Sequence, residues 1–419
     1  MKHNLKLLVF IFCIYSSTNL FANKLVPYKA PAFFGEARLT KEYLGSLECT
    51  VGGGGSEQGF NSYGQKTNAL NIFGAENFRN IAEGVPATIL ALNPGAIIDD
   101  LWETSLPGFG TIELQGKFKL TEINFNFLQN FKHGFFTELN LPIRKIGIKD
   151  FRYNNLATSD LAGSASFSQW QNFTANLVTN LAKYNIHLQN YQDFSLGDIQ
   201  LAVGWTQTNL TNNKYLDFWD TTVKAGIIIP TAPGTNPNYP LLISSGYDHN
   251  IGFPFSFDLS AGLFEWITIG THLEGVLFTD KYQTISMKTA LQQNGLIKLA
   301  SGTARIEKGN IWQIGSFIKS DHMPWGLSIT LAYSFSTQQK TVLNLPDTSS
   351  FDCNIVNSDR LLTGWSMHTI NTSIEYDFAV EKDKAKLPHL RLNFDIPLAG
   401  KHVFKNTIFS GTIGIDFVW

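Results

Sequence analysis

The chain has 419 residues and a formal net charge of −2, a balance that excludes the strongly basic face of a typical nucleic-acid binder. Charged residues make up only 16%, against about 25% in ordinary soluble domains. Aromatics reach 13% with 33 Phe and 9 Trp, there are 35 Gly, and mean hydropathy is −0.05, which is odd for a cytosolic enzyme but suits a barrel whose apolar outside and polar inside average out.

The N-terminus carries an export signature. Lys2, His3 and Lys6 open it, Leu7 to Tyr15 is apolar, and Ser16 to Ala22 forms a plausible cleavage region. Residues 1–22 therefore read as a signal peptide and 23–419 as the mature chain. The apolar core is too short for a spanning helix, which needs about 20 such residues, and no later stretch is long enough. Two cysteines remain after cleavage, Cys49 and Cys353, and whether they pair is open from sequence.

From Leu44 to Val51 a strand pattern places Leu47, Cys49 and Val51 on one side. Gly52 to Gly55 reads as a breaker. No clean period follows until about Gly110, so residues 52–110 read as a plug or a long external loop. Regular alternation then sets in. Ile123, Phe125 and Phe127 oppose Glu122, Asn124 and Asn126; Leu139, Leu141 and Ile143 oppose Glu138, Asn140 and Arg144. Strands of the same kind recur around 199–205, 223–229, 255–263, 267–277, 312–318, 327–336, 370–378, 390–398 and 407–419. Side chains on a strand alternate between faces, so each has one apolar and one polar side.

The connections alternate too. Short links lie near 132–134, 212–215, 264–266, 320–325 and 380–386, and longer ones at 52–110, 151–195, 232–249, 288–307 and 344–360. Short turns at one end and long loops at the other mark a transmembrane barrel. The expected fold is all-β: an antiparallel up-and-down transmembrane β-barrel of about twelve strands. One long loop switches period. Phe167, Trp170, Phe173, Leu177 and Leu181 recur every three or four residues, which predicts a short amphipathic helix in an external loop.

The polar faces carry the candidate lumen-lining residues Glu122, Glu138, Arg144, Lys224, Asp258, His272, Glu274, Glu375, Asp377, Arg391 and Asp395. Both signs occur, so they form either a solute filter or a lattice of mutually paired charges. His272 and Glu274 are two apart on one face, but no second close His or Cys supports a metal site. No nucleophile elbow, phosphate loop or zinc-protease motif appears. The sequence predicts no catalytic residue, no metal and no cofactor.

The last strand, ending Ile415-Asp416-Phe417-Val418-Trp419, resembles the C-terminal strand of Gram-negative outer-membrane barrels. That resemblance implies that Ile415, Phe417 and Trp419 form the signal read by the barrel-assembly machinery. On its alternation Thr407, Phe409, Ile413, Ile415 and Phe417 face outer-membrane lipid, and Ser410, Thr412 and Asp416 face the lumen. A charge at Ile413 is expected to block insertion and one at Thr412 to be tolerated. Gly197 to Trp205, followed by Val223 to Gly234, is similar to a strand pair of the phenol-degradation-pathway and long-chain fatty-acid transporter barrels. The implied function is passage of small or hydrophobic solutes across the outer membrane by a protein that is not an enzyme. The alternatives are a surface barrel without transport, for adhesion or structure, and a barrel hydrolase.

Overall fold

Twelve strands close on themselves in sequence order. In this computed structural model the described residues are 21–22, 44–78, 110–156, 165–323, 326–346, 351–378 and 386–418. The staves are β1 (Leu44–Ser56), β2 (Thr111–Asn130), β3 (Phe135–Asn155), β4 (Ile199–Leu210), β5 (Leu216–Ile229) and β6 (Gly252–Leu263). They continue with β7 (Ile267–Phe278), β8 (Ile311–Met323), β9 (Leu327–Gln338), β10 (Ser366–Asp377), β11 (Lys386–Lys401) and β12 (Thr407–Val418). Each is antiparallel to the next, and β1 closes the ring by pairing with β12 on one side and β2 on the other. Trp419 lies outside the described residues, as do most of the expected signal peptide and residues 79–109 of the expected plug.

The outer face is apolar where the period of two places it. Leu47 and Val51 on β1, Val203 on β4, Leu331 on β9, and Phe409 and Ile413 on β12 are all exposed. Six aromatic residues are exposed at the short-turn end: Phe131, Phe135, Tyr215, Phe264, Trp266 and Phe378. Those six all sit in or beside the turns, which is where a girdle at a bilayer boundary is placed. Long strands, closed ladders and an apolar belt solve one problem together. Backbone groups in a hydrocarbon layer have no water to bond, so every strand edge must be paired.

Two sequence readings change, and the question of the two thiols is answered. Gly52 to Gly55 does not break a strand; β1 runs through it and pairs on both sides. The glycines are needed for close approach: a Cβ on Gly53 would stand 2.7 Å from the Leu120 carbonyl oxygen, and one on Gly54 2.3 Å from that of Thr407. The two thiols do not pair. Cys49 is on the barrel wall and Cys353 begins a short helix among the long loops, and both are free. Thr412 does face inward, but it is 1% exposed and bonded to Thr50 Oγ1 at 2.8 Å, so it is a packed wall position and not a tolerant one.

Ile413 is 68% exposed at the middle of β12. Ile413→Arg is expected to destabilise the barrel by about 2–4 kcal/mol in lipid. Thr412→Arg is expected to be harmful as well, because it breaks the Thr50 bond and crowds a buried wall. Folded fractions read from heat-modifiable gel migration check both.

Candidate functional site: the charged lumen and its cap

Strand register decides which charges meet. Glu122 and Arg144 are direct cross-strand partners on β2 and β3, and Arg144 Nε donates to Glu122 Oε2 at 2.6 Å. Lys224 on β5 reaches past β4 to Glu138 on β3, Nζ to Oε2 2.8 Å. The intervening inward positions on β4 are Ala202 and Gly204, which leave the path clear. Asp258 and His272 face each other across β6 and β7, with His272 Nδ1 and Asp258 Oδ1 2.5 Å apart; Glu274 stands 3.5 Å from the other ring nitrogen.

A second cluster forms on the opposite wall, nearer the short-turn end. Arg391 Nε donates to its register partner Glu375 at 3.0 Å and lies 3.7 Å from Glu48. His389 sits between Glu48 at 3.1 Å and Asp416 at 3.8 Å. Asp395 accepts from Asn371 Nδ2 at 2.5 Å, and Asp377 lies opposite His389 in register. Glu48 and His389 were absent from the sequence-derived set. Their signal was present, since each occupies a polar position in an alternating strand.

The first cluster walls a cavity of about 170 Å³. Glu122, Glu138, Arg144, Lys224, His272 and Glu274 line it; Asp258 pairs with His272 without lining the cavity. Glu375, Asp377, Arg391 and Asp395 belong to the other wall. The roof comes from a residue just before β4 and from the 230–251 loop. Asp198 accepts from the Ala232 and Tyr247 amides at 3.0 and 2.5 Å, and Arg144 Nη1 donates to the Ser245 carbonyl at 2.6 Å. The loop is thereby pinned into the barrel mouth. Sequence reading missed Asp198 and Tyr247, because a loop residue's partner is set by how the loop folds back and not by spacing.

Ser256, Asp258 and His272 come nearest to a hydrolase constellation. Ser256 Oγ has no hydrogen-bond partner among the described residues, while His272 is held between two carboxylates. That is the geometry of a fixed ion pair. Among the described residues no three His, Cys, Asp or Glu side chains gather closely enough to hold a metal ion.

The long-loop end has its own apolar core. Helices α1 (Ala165–Ala175) and α2 (Leu177–Ala182) carry Trp170, Phe173, Leu177 and Leu181, all buried; Phe167 lies in α1. They pack on Leu70, Ile72, Phe73 and Phe78 of the 57–78 segment and on the extended β2–β3 hairpin. Trp170 also donates its indole N–H to Asn155 at 2.8 Å. One buried carboxylate fastens this cap across the barrel. Glu76 is 1% exposed and accepts from the Leu296 and Ile297 amides, Oε1 at 2.5 Å and Oε2 at 3.2 Å. Burial pushes it up to about 7, offset in part by Lys298 and by those two amides.

Arg144→Met leaves Glu122 buried without its cation and is expected to cost about 3–5 kcal/mol, with Glu122→Gln restoring part of the loss. Urea unfolding in lipid checks this. For Glu76, the native state holds its proton to higher pH than the unfolded chain. Its contribution is therefore fully present below the ordinary value of 4.5 and falls as pH rises to about 7, by roughly 3 kcal/mol in all. Amide exchange at Leu296 and Ile297, corrected for intrinsic rates, is expected to be faster at pH 8 than at pH 5, and Glu76→Gln is expected to flatten that dependence.

No family description matches the sequence, and no curated protein matches it. Solved structures do. An outer membrane channel from Pseudomonas putida F1 is similar at 8% identity, covering 93% of this chain and 100% of that one with a TM-score of 0.50. The TodX deltaS2S3 mutant monoaromatic hydrocarbon channel aligns at 11% identity over 96% of each chain, TM-score 0.32. The translocator domain of the autotransporter NalP from Neisseria meningitidis aligns at 8% identity over 91% of this chain and 90% of that one, TM-score 0.33. At such low identity the first likeness is one of fold: the chain is built as Gram-negative outer-membrane barrels are.

Proposed function

We propose that the protein is an outer-membrane barrel that passes small solutes, inserted by the barrel-assembly machinery after loss of residues 1–22. The short turns then face the periplasm and the capped loops face outward. One observation carries this reading: the lumen holds a charged, solute-sized cavity inside a closed wall, beneath loops that are pinned and not fused to it. A channel fold in the Pseudomonas putida F1 protein supports it. In this conformation the cap covers the outer mouth, so passage needs the cap to yield. A second reading, a surface barrel without transport, draws on the same cap core and on the ion pairs that fill the lumen.

Planar-bilayer conductance and liposome swelling separate the two. The whole chain is expected to give small, infrequent openings, and Glu76→Ala, which cuts the clasp between the 57–78 segment and the 288–299 loop, to raise open probability severalfold. Silence from both proteins, each shown to be folded by heat-modifiable migration, overturns the transport reading in favour of the surface barrel.

A further inference from the structure

The outward face of the β2–β3 hairpin changes character along its length. Val51, Ile123, Ile143 and Leu196 form one row across four neighbouring strands, the last of them the short strand Tyr191–Leu196. That row is apolar and belongs to the lipid belt. One step toward the long loops the row reads Thr121, Lys145 and Phe194, with Phe194 70% exposed. The next step brings Lys119, and the one after it brings Lys117 and Lys149 as direct cross-strand partners. At about 3.3 Å per residue, Lys145 stands about 7 Å and Lys149 about 20 Å along the strand from Ile143.

Alternation fixes the direction of these side chains. Phe118, Leu120, Ile146 and Ile148, interleaved with them in sequence, are buried in the cap core on the opposite face. Lys145 and Lys149 are exposed, and Lys117 and Lys119 are half-buried. Of the four lysines, only Lys117 has a carboxylate partner among the described residues, Glu57 at 3.2 Å. Asp150 borders the patch, exposed at a left-handed backbone position with φ 54°. The lysines are therefore in excess.

Like charges directly opposite each other on a sheet are destabilising. Lys117 and Lys149 face each other in this way, and Lys119 lies one step below on the same face. An anion seated among them relieves the repulsion, and phosphate oxygens are strong acceptors for ammonium groups. The place of the patch restricts the anion further. The cations begin where the apolar row ends, beside the exposed Phe194 and Leu196. A lipid meets both halves of this face at once, with acyl chains on the apolar row and an anionic headgroup above it. The lysines are spread over three levels of the strand pair, so one phosphate cannot reach them all.

We propose that this face binds a lipid whose headgroup carries two or more phosphates, its chains along the Ile143–Leu196 row and its phosphates on Lys119, Lys145 and Lys149. The site is on the barrel wall and not in the lumen, so it stands whether or not the protein conducts. Native mass spectrometry of the full chain in neutral detergent micelles counts bound lipids directly. The probes are lipid A with both phosphates, the same lipid with one phosphate, its dephosphorylated form, and phosphatidylglycerol. One molecule of the diphosphorylated lipid per barrel is expected, held at least tenfold tighter than any other probe. Inorganic pyrophosphate at millimolar concentration is expected not to displace it, because the acyl chains supply part of the binding. Lys119→Gln, Lys145→Gln and Lys149→Gln combined are expected to weaken binding at least about tenfold. Lys183→Gln, Lys214→Gln and Lys340→Gln combined remove the same charge elsewhere and are expected to leave it unchanged. Equal binding of the dephosphorylated lipid or of phosphatidylglycerol, displacement by pyrophosphate, or no retained lipid overturns the proposal. So does unaltered binding in the folded patch variant, or an equal loss in the control variant. Should the patch variant not fold, the ranking of the four probes on the unaltered chain decides it.

Discussion

Closure of the strand ladder is the constraint on which everything else depends. A sheet with an apolar outer face cannot leave a row of unpaired N–H and C=O groups along an edge in hydrocarbon. The edge is removed where β1 pairs with β12, the two ends of the chain's strand order. Gly53 and Gly54 sit at that seam, where neighbouring carbonyls leave no room for a Cβ. The residues that look most like a strand breaker are thus the ones that let the ring shut.

Closure creates an interior, and the interior then needs its own accounting. Inward positions on twelve staves bring charges into a confined space, where an isolated ion is costly and a paired one is acceptable. The lumen answers with short pairs: Glu122 with Arg144, Glu138 with Lys224, Asp258 with His272, and Glu375 with Arg391. Partners in direct register account for three of these four. The fourth spans a strand because Ala202 and Gly204 are small. The question left open by the sequence, solute filter or structural lattice, has a mixed answer: the pairs form a lattice, and the lattice encloses a cavity.

The cap follows a different logic. It is a small apolar core at the loop end, drawn from segments more than 200 residues apart in the chain and held by one buried carboxylate, Glu76. Beside the lumen, Tyr247 lines the charged cavity while Asp248 and Asn250 line a smaller cavity among the long loops.

Strand number, the lipid-facing set and the end at which the turns are short could be read from the sequence, because alternation is a local property and the two faces of a strand differ in hydropathy from residue to residue. Ile413 and Phe409 outward with Ser410 and Thr412 inward is such a reading. The amphipathic helix was legible for the same reason, as a change of period from two to between three and four. What tertiary structure decided is whatever depends on register and on loop folding. Alternation says that Thr412 faces in; only the pairing shows that it is locked to Thr50. Periodicity says nothing about a glycine run, whose role is steric and set by its neighbours' backbones. Asp198, Tyr247 and Glu76 lie outside the periodic strands, and their partners are fixed by where loops return, through contacts between residues tens to hundreds of positions apart. A local pattern encodes the wall of the barrel; the contents of its mouth are encoded only in the closed structure.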